Sequence, residues 1–266
     1  MLGCTAAAKG ALTVATIVAN SVLPAHREDV EFVTSDGLRL VGELATPIGS
    51  APTALIICMH PLPTHGGMMD SHVLRKMAWR LPALANIAIL RFNTRGTSSA
   101  RGTSEGSFDA SQGEGRDLAA AVAFAAQRGL PTPWLLGWSF GTDVILRNAR
   151  AMNIAGVILL SPPLRFTTAE ELGAWADSDL PIVAFVPEHD DYLPPEEAVR
   201  SFAVAPNIEI VAVPDAKHLW VGERFVAELL NSITSVMNPV SGDLPEEWRG
   251  EMWKFSDLTG ELSQVQ

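Results

Sequence analysis

The sequence predicts an α/β domain: a mostly parallel central sheet flanked by helices on both faces, with an N-terminal antiparallel hairpin and no sizeable cap domain. Three observations carry this expectation. Apolar runs at Ala54–Met59, Ile87–Phe92, Ala155–Leu160 and Pro181–Val186 are nearly continuous, as suits strands buried on both faces. Segments with helical spacing separate them. Finally, Gly137-Trp138-Ser139-Phe140-Gly141 lies between a short apolar run and a helix start, the setting in which a tight strand-to-helix turn holds a serine hydroxyl clear of a sheet.

In chain order, Val30–Ser35 and Leu38–Ala45 are joined by Asp36-Gly37, a strong hairpin signal. The run Ala54–Met59 ends in the stiff loop His60-Pro61-Leu62-Pro63-Thr64-His65-Gly66-Gly67. Ser71–Leu84 reads as a helix, with Leu74, Met77, Ala78 and Leu81 on one face. After the strand Ile87–Phe92, residues 93–115 form a loop rich in Gly and Ser. It lacks both G-x-x-x-x-G-K-[ST] and a Gly-x-Gly-x-x-Gly opening from the strand, so no phosphate cradle is expected. Asp117–Gln127 is an alanine-rich helix, and a further helix follows the serine pentapeptide from Phe140 to Ala151. Between the strands ending at Leu160 and beginning at Pro181 there is room for one helix, near Thr168–Ala176, and not for a cap. A short helix at Pro195–Phe202, a strand at Ile208–Val213 and a helix at Glu223–Val236 complete the domain.

The organisation expected is an N-terminal extension over residues 1–27, poorly ordered or weakly apolar, a catalytic-type domain over 28–237, and an acidic tail over 238–266. Lys9 precedes an apolar stretch too short to span a bilayer. One lysine and no convincing cleavage site make it a weak export signal, so a cytoplasmic protein is expected and export is the alternative. The tail carries Trp248 and Trp253 among glutamates, with a mobile tail as the default reading. A formal net charge of −11 without a basic stripe argues against a nucleic-acid partner. Cys4 and Cys58 are the only cysteines, with Cys58 inside an apolar strand, so no disulfide framework is expected. No Cys/His cluster has metal-ligand spacing, and neither a metal nor any other cofactor is predicted.

A serine on such a turn needs a base and an acid, ordered Ser, acid, His along the chain. His218 follows the last strand and precedes the last helix, the slot a base must occupy. The acid belongs on the loop after Val186, where Glu188, Asp190, Asp191 and Glu196 crowd together; Asp190 and Asp191 are the leading candidates. In the chemistry this implies, His218 takes the Ser139 proton and the acid fixes the imidazole. The oxyanion donors expected are the amides of Phe140 and Leu62, since Pro61 and Pro63 have no N–H to give. Leu62, Phe140, Leu164, Trp175, Leu219 and Trp220 are candidate walls of a substrate pocket, with His60 a candidate polar contact.

Taken together, several segments resemble the α/β-hydrolase superfamily, and within it small lid-poor bacterial serine hydrolases. They are His60-Pro61-Leu62-Pro63 with Gly66-Gly67 and Asp70, Leu90-Arg91-Phe92-Asn93 with Arg95-Gly96, and Gly102 through Ser104-Glu105-Gly106 to Phe108-Asp109. The serine pentapeptide, Asp190 with Pro194, and Ala216 with His218 complete the set. The resemblance covers about residues 28–236. It implies that the acid is Asp190, because the family's G-x-x-D-x-x-x-P loop aligns there, with Pro187 in place of the glycine. It also implies that Arg91 and Arg95 brace strand ends, and that Leu62 stands where such proteins often carry histidine.

The function expected is cleavage of small or medium acyl esters through a covalent acyl-enzyme. The alternatives are an amidase, peptidase or thioesterase on the same triad, or a non-catalytic binding protein on the same scaffold. The partners expected are a small acyl substrate and water, without stable membrane insertion.

Overall fold

In the computed structural model, residues 14–255 are described; the expectations for Cys4 and Lys9 lie outside them. The chain begins with two short strands, β1 (Val14–Thr16) and β2 (Ser21–Val22), followed by the hairpin β3 (His26–Val33) and β4 (Arg39–Thr46). Next come β5 (Ala54–Met59), α1 (His72–Ala85), β6 (Ile87–Phe92), the two-residue strands β7 (Ser98–Ser99) and β8 (Gly102–Thr103), and α2 (Glu114–Gln127). The pentapeptide lies between β9 (Pro133–Trp138) and α3 (Phe140–Asn148). The remainder is β10 (Gly156–Leu160), α4 (Ala169–Gly173), β11 (Ile182–His189), α5 (Pro195–Ser201), β12 (Glu209–Lys217), α6 (Glu223–Met237), β13 (Glu247–Arg249) and β14 (Trp253–Lys254).

Eight strands form one sheet in the order β3-β4-β6-β5-β9-β10-β11-β12. Only β4 runs against the rest, pairing antiparallel with β3 and β6, while the five junctions from β6 to β12 are parallel. The apolar runs explain the arrangement. The central strands β6, β9 and β10 are buried at every residue, whereas the edge strands β3 and β12 alternate or are largely exposed. Each sheet face carries its own core. One gathers Leu118, Val144, Leu172 and Ala198 from α2, α3, α4 and α5; the other gathers Leu74, Met77, Leu229 and Ile233 from α1 and α6. Between Leu160 and Ile182 stands only the five-residue α4, its start fixed by a Thr168–Glu171 capping box.

The first and last described residues pair with each other. β1 pairs antiparallel with β13, and β2 with β14, so residues 14–22 and 247–254 form a clasp. Aromatic packing fixes it: the Phe255 ring lies 5.0 Å from Trp79, and Arg75 stacks over both rings. Trp248 and Trp253 therefore serve as strand residues. No helix among the described residues is long and apolar enough to cross a membrane.

Candidate active site

The pentapeptide forms a sharp turn because its glycines let α3 press onto the sheet. A Cβ on Gly141 would lie 2.2 Å from the Met59 carbonyl oxygen, and one on Gly137 would lie 2.6 Å from the Gly141 backbone. Between them Ser139 adopts φ 52° and ψ −118°, a strained conformation for a side-chain-bearing residue. Three hydrogen bonds hold its backbone there: its N–H donates to Leu160 O at 2.8 Å, and its C=O accepts from the Thr142 amide and hydroxyl at 2.8 and 2.7 Å.

Asp190 and His218 arrive at the same sheet end from the ends of β11 and β12. A register shift between Pro187 and His189 bends β11, and the Asp190 amide closes the turn onto Pro187 O at 3.2 Å. Proline, which cannot extend a regular ladder, thus sits at a bulge where the family pattern has glycine. Asp190 and His218 are both buried, and Asp191 is exposed.

The Asp190 Oδ2 lies 2.8 Å and its Oδ1 3.0 Å from His218 Nδ1, and His218 Nε2 lies 2.9 Å from the Ser139 hydroxyl. A carboxylate only accepts, so Nδ1 carries the proton and Nε2 is left to accept from Ser139. Asp190 Oδ1 also accepts from the Tyr192 and Leu193 amides at 2.9 and 3.3 Å, which fixes the carboxylate plane. The Tyr192 ring lies against the imidazole, centroids 4.5 Å apart. Four side chains hold the base from behind. The His218 carbonyl accepts from Trp138 Nε1 at 3.2 Å and from the Ser161 hydroxyl at 3.1 Å, and Ser161 Oγ accepts in turn from Trp220 Nε1 at 2.9 Å. His72 Nε2 donates to Leu219 O at 2.7 Å.

A cavity of about 110 Å³ opens on Ser139 and His218, walled by Leu62, Phe140, Phe166, Tyr192 and Leu219 together with Pro61 and Pro163. His65, Asp143 and Arg165 supply its polar groups. Of the residues expected at the pocket, Leu62, Phe140 and Leu219 line it and four others lie elsewhere. His60 is buried, its Nδ1–H donating to Pro61 O at 2.7 Å and its Nε2 accepting from the Thr94 amide at 3.1 Å, so it braces the loop that carries Leu62. Burial lowers its pKa to about 4, against the pull of the Pro61 carbonyl, which keeps it neutral. Trp175 and Trp220 are wholly buried, each indole N–H committed to an acceptor inside the fold (Leu146 O and Ser161 Oγ). Leu164 packs against the core at φ 48°.

Arg91 and Arg95 stay away from the pocket. The Arg91 guanidinium is buried against Glu43 at 2.8 Å, Asp70 and the Met69 carbonyl, and Arg95 against Asp117 at 2.8 Å and Asp36 at 3.0 Å.

The fold is shared with solved serine hydrolases. A lidless α/β serine hydrolase from Xanthomonas campestris superposes with a TM-score of 0.63 at 26% identity, over 84% of this chain and 99% of its own. An α/β serine hydrolase homologue from Coxiella burnetii gives 0.67 at 23% identity, over 80% and 97%. An esterase from Pyrococcus furiosus gives 0.68 at 18% identity, over 82% and 94%. The chain has the α/β-hydrolase fold. No family model matches the sequence, and a comparison with curated proteins finds no match. On this fold the chain carries a Ser-His-Asp hydrogen-bond relay of the serine-hydrolase kind, and among the described residues only the small α4 stands where a cap would be inserted.

Proposed function

We propose that the protein hydrolyses esters of short acyl groups, with Ser139 as nucleophile, His218 as general base and acid, and Asp190 as the group that orients His218. The observation that carries this is the 2.9 Å contact between the Ser139 hydroxyl and an imidazole already held by a buried carboxylate. Ser139 Oγ attacks the acyl carbon while its proton passes to His218 Nε2. The carbonyl oxygen becomes an oxyanion facing the amides of Phe140 and Leu62. Phe140 opens α3, where the first amides of a helix have no acceptor within it, and the Leu62 amide donates to no group among the described residues. Collapse breaks the ester C–O bond, and the departing alcohol takes the proton from His218. Water then attacks the acyl-enzyme, gives its proton to His218, and the acid leaves as Ser139 recovers its hydrogen.

Pocket size supports short acyl groups. A cavity of about 110 Å³ is smaller than the roughly 150 Å³ that accommodates benzene. The test is kcat/KM on p-nitrophenyl esters of rising chain length, beside labelling by a fluorophosphonate in wild type, Ser139→Ala and His218→Ala. Rates that peak at short chains and labelling lost in both variants are the expected results; wild-type protein inert to both reagents would overturn the reading. A cytoplasmic location belongs to the same reading, supported by the single lysine ahead of a short apolar run. Export of a reporter fused to residues 1–24 would contradict it.

A further inference from the structure

Asp143 stands one helical turn beyond Ser139 in α3 and lines the same cavity, yet the hydrolytic steps make no use of it. Its side chain is fully buried. One oxygen is saturated: Oδ1 accepts from the Phe166 amide at 3.1 Å, the Thr167 amide at 2.9 Å and the Thr167 hydroxyl at 2.6 Å. The other, Oδ2, is buried without a hydrogen-bond partner among the described residues. No arginine or lysine forms an ion pair with it among those residues, although Arg165 lines the same cavity. Burial raises the Asp143 pKa, against the lowering pull of the Thr167 hydroxyl and the amides of residues 165–167.

Anchoring residues 166 and 167 needs only Oδ1, and a serine or threonine would supply an acceptor without burying a second polar atom. A buried polar atom left unpaired is unfavourable, and native proteins carry few of them. In a pocket whose other walls are mainly aromatic and aliphatic, such an atom is what a ligand group pairs with.

We propose that Asp143 Oδ2 forms a polar subsite of the acyl pocket, and that the preferred substrates are esters whose short acyl chain carries a hydroxyl group that pairs with it. The inference rests on the ester-hydrolase reading above. A hydroxyl is the group that fits on chemical grounds. It both donates and accepts, so it satisfies this oxygen whether the carboxyl is ionised or protonated. It adds one heavy atom, which a cavity of about 110 Å³ tolerates. A substrate ammonium would have to be desolvated as well as paired, and a substrate carboxylate would meet a like charge whenever Asp143 is ionised. A plain acyl chain would leave Oδ2 unpaired, which is how sites built around a polar contact discriminate against analogues lacking it.

The experiment compares kcat/KM for ethyl butanoate with that for ethyl 2-, 3- and 4-hydroxybutanoate, followed by pH-stat and each normalised to its alkaline hydrolysis rate. At least one hydroxyester should be preferred by tenfold or more in the wild type. Asp143→Asn keeps a hydrogen-bonding atom in place of Oδ2 and should retain the preference. Asp143→Thr keeps one oxygen for the 166–167 amides, puts a methyl group beside it, and should bring the ratio to about one. The ratio is the readout because disruption of the fold lowers both rates together. Equal rates on all four esters in the wild type would overturn the subsite and leave the ester reading standing. A preference that survives Asp143→Thr would equally overturn the assignment to Asp143. No turnover of any ester, ethyl butanoate included, would remove the ester reading and the subsite with it. Should Asp143→Thr fail to fold, Asp143→Ser, which also keeps one oxygen for the 166–167 amides and none at Oδ2, takes its place under the same criterion.

Discussion

Ser161→Ala removes a single hydroxyl from behind the catalytic base. Ser161 follows β10 at φ 48°, its amide fixed to Phe185 O at 2.9 Å, and alanine tolerates that backbone no worse than serine does. The substitution deletes the 3.1 Å bond to the His218 carbonyl and the acceptor of Trp220 Nε1, while Trp138 Nε1 keeps its 3.2 Å bond to the same carbonyl. Two costs add. One neutral hydrogen bond contributes about 1 kcal/mol net, and an indole N–H orphaned inside a fully buried Trp220 costs about 1 to 3 kcal/mol, so a loss of about 2 to 4 kcal/mol is expected. In a chain of this size that lowers Tm by roughly 4 to 16 °C. The larger consequence is positional. With one of two braces gone, the His218 ring is free to drift from Ser139, and a misplacement of about 1 Å costs on the order of 100-fold in rate. Calorimetry and steady-state kinetics on a short p-nitrophenyl ester should therefore show a lower Tm and a lower kcat with little change in KM. A variant with wild-type kcat and a Tm within about 1 °C would refute the view that the Ser161–Trp220 pair positions the base.

Further outcomes follow from the buried polar groups and from the clasp. Arg91→Met should destabilise the fold by about 3 kcal/mol, because Glu43, buried, would keep only Arg101 of its two arginine partners and Asp70 would lose its own; urea unfolding measures it. His60, with its pKa lowered from 6.5 to about 4 chiefly by burial, binds its proton less readily folded than unfolded. Its contribution is complete above pH 6.5 and is lost as pH falls to about 4. A shift of that size corresponds to about 3 kcal/mol, so the stability of wild type relative to His60→Gln should decline by that order between pH 7 and 4. Deleting residues 242–266 removes the partners of β1 and β2 and uncovers Trp79, so Tm should fall and self-association rise while kcat stays within about twofold; unchanged Tm would show that the clasp contributes nothing.

The core of the domain was legible in the sequence because its signals are local. Continuous apolar runs place the inner strands to within three residues, Asp36-Gly37 places the β3–β4 turn, and Gly137 with Gly141 marks the turn where α3 touches β5. Ser139, Asp190 and His218 follow the carboxyl ends of three parallel strands, so chain order alone brings them to one edge of the sheet. Side-chain direction was not legible. Trp175 and Trp220 adjoin the site in sequence, but their bulk and their indole donors are used inside the core, while Phe166 and Tyr192 turn to the pocket instead. The clasp has no local signal for a different reason. Strands of two or three residues carry no periodicity, and their partners lie at the opposite end of the chain.

Asp143 is the informative case, since a signal for it was present. An acidic residue in the first turn of a helix is ordinary, because it meets the positive end of the helix dipole. In α3, however, the residues from Phe140 to Leu146 are all buried, so a carboxylate among them has to be justified by partners. Three donors from residues 166 and 167 account for half of it and tie the pocket wall to the helix that carries the nucleophile. The same carboxyl group therefore links the elbow, the wall and the cavity. A change there is felt by specificity through Oδ2 and by pocket shape through Oδ1. That division explains why the ratio between two substrates, and not the rate on either, is the quantity that reports what Asp143 does.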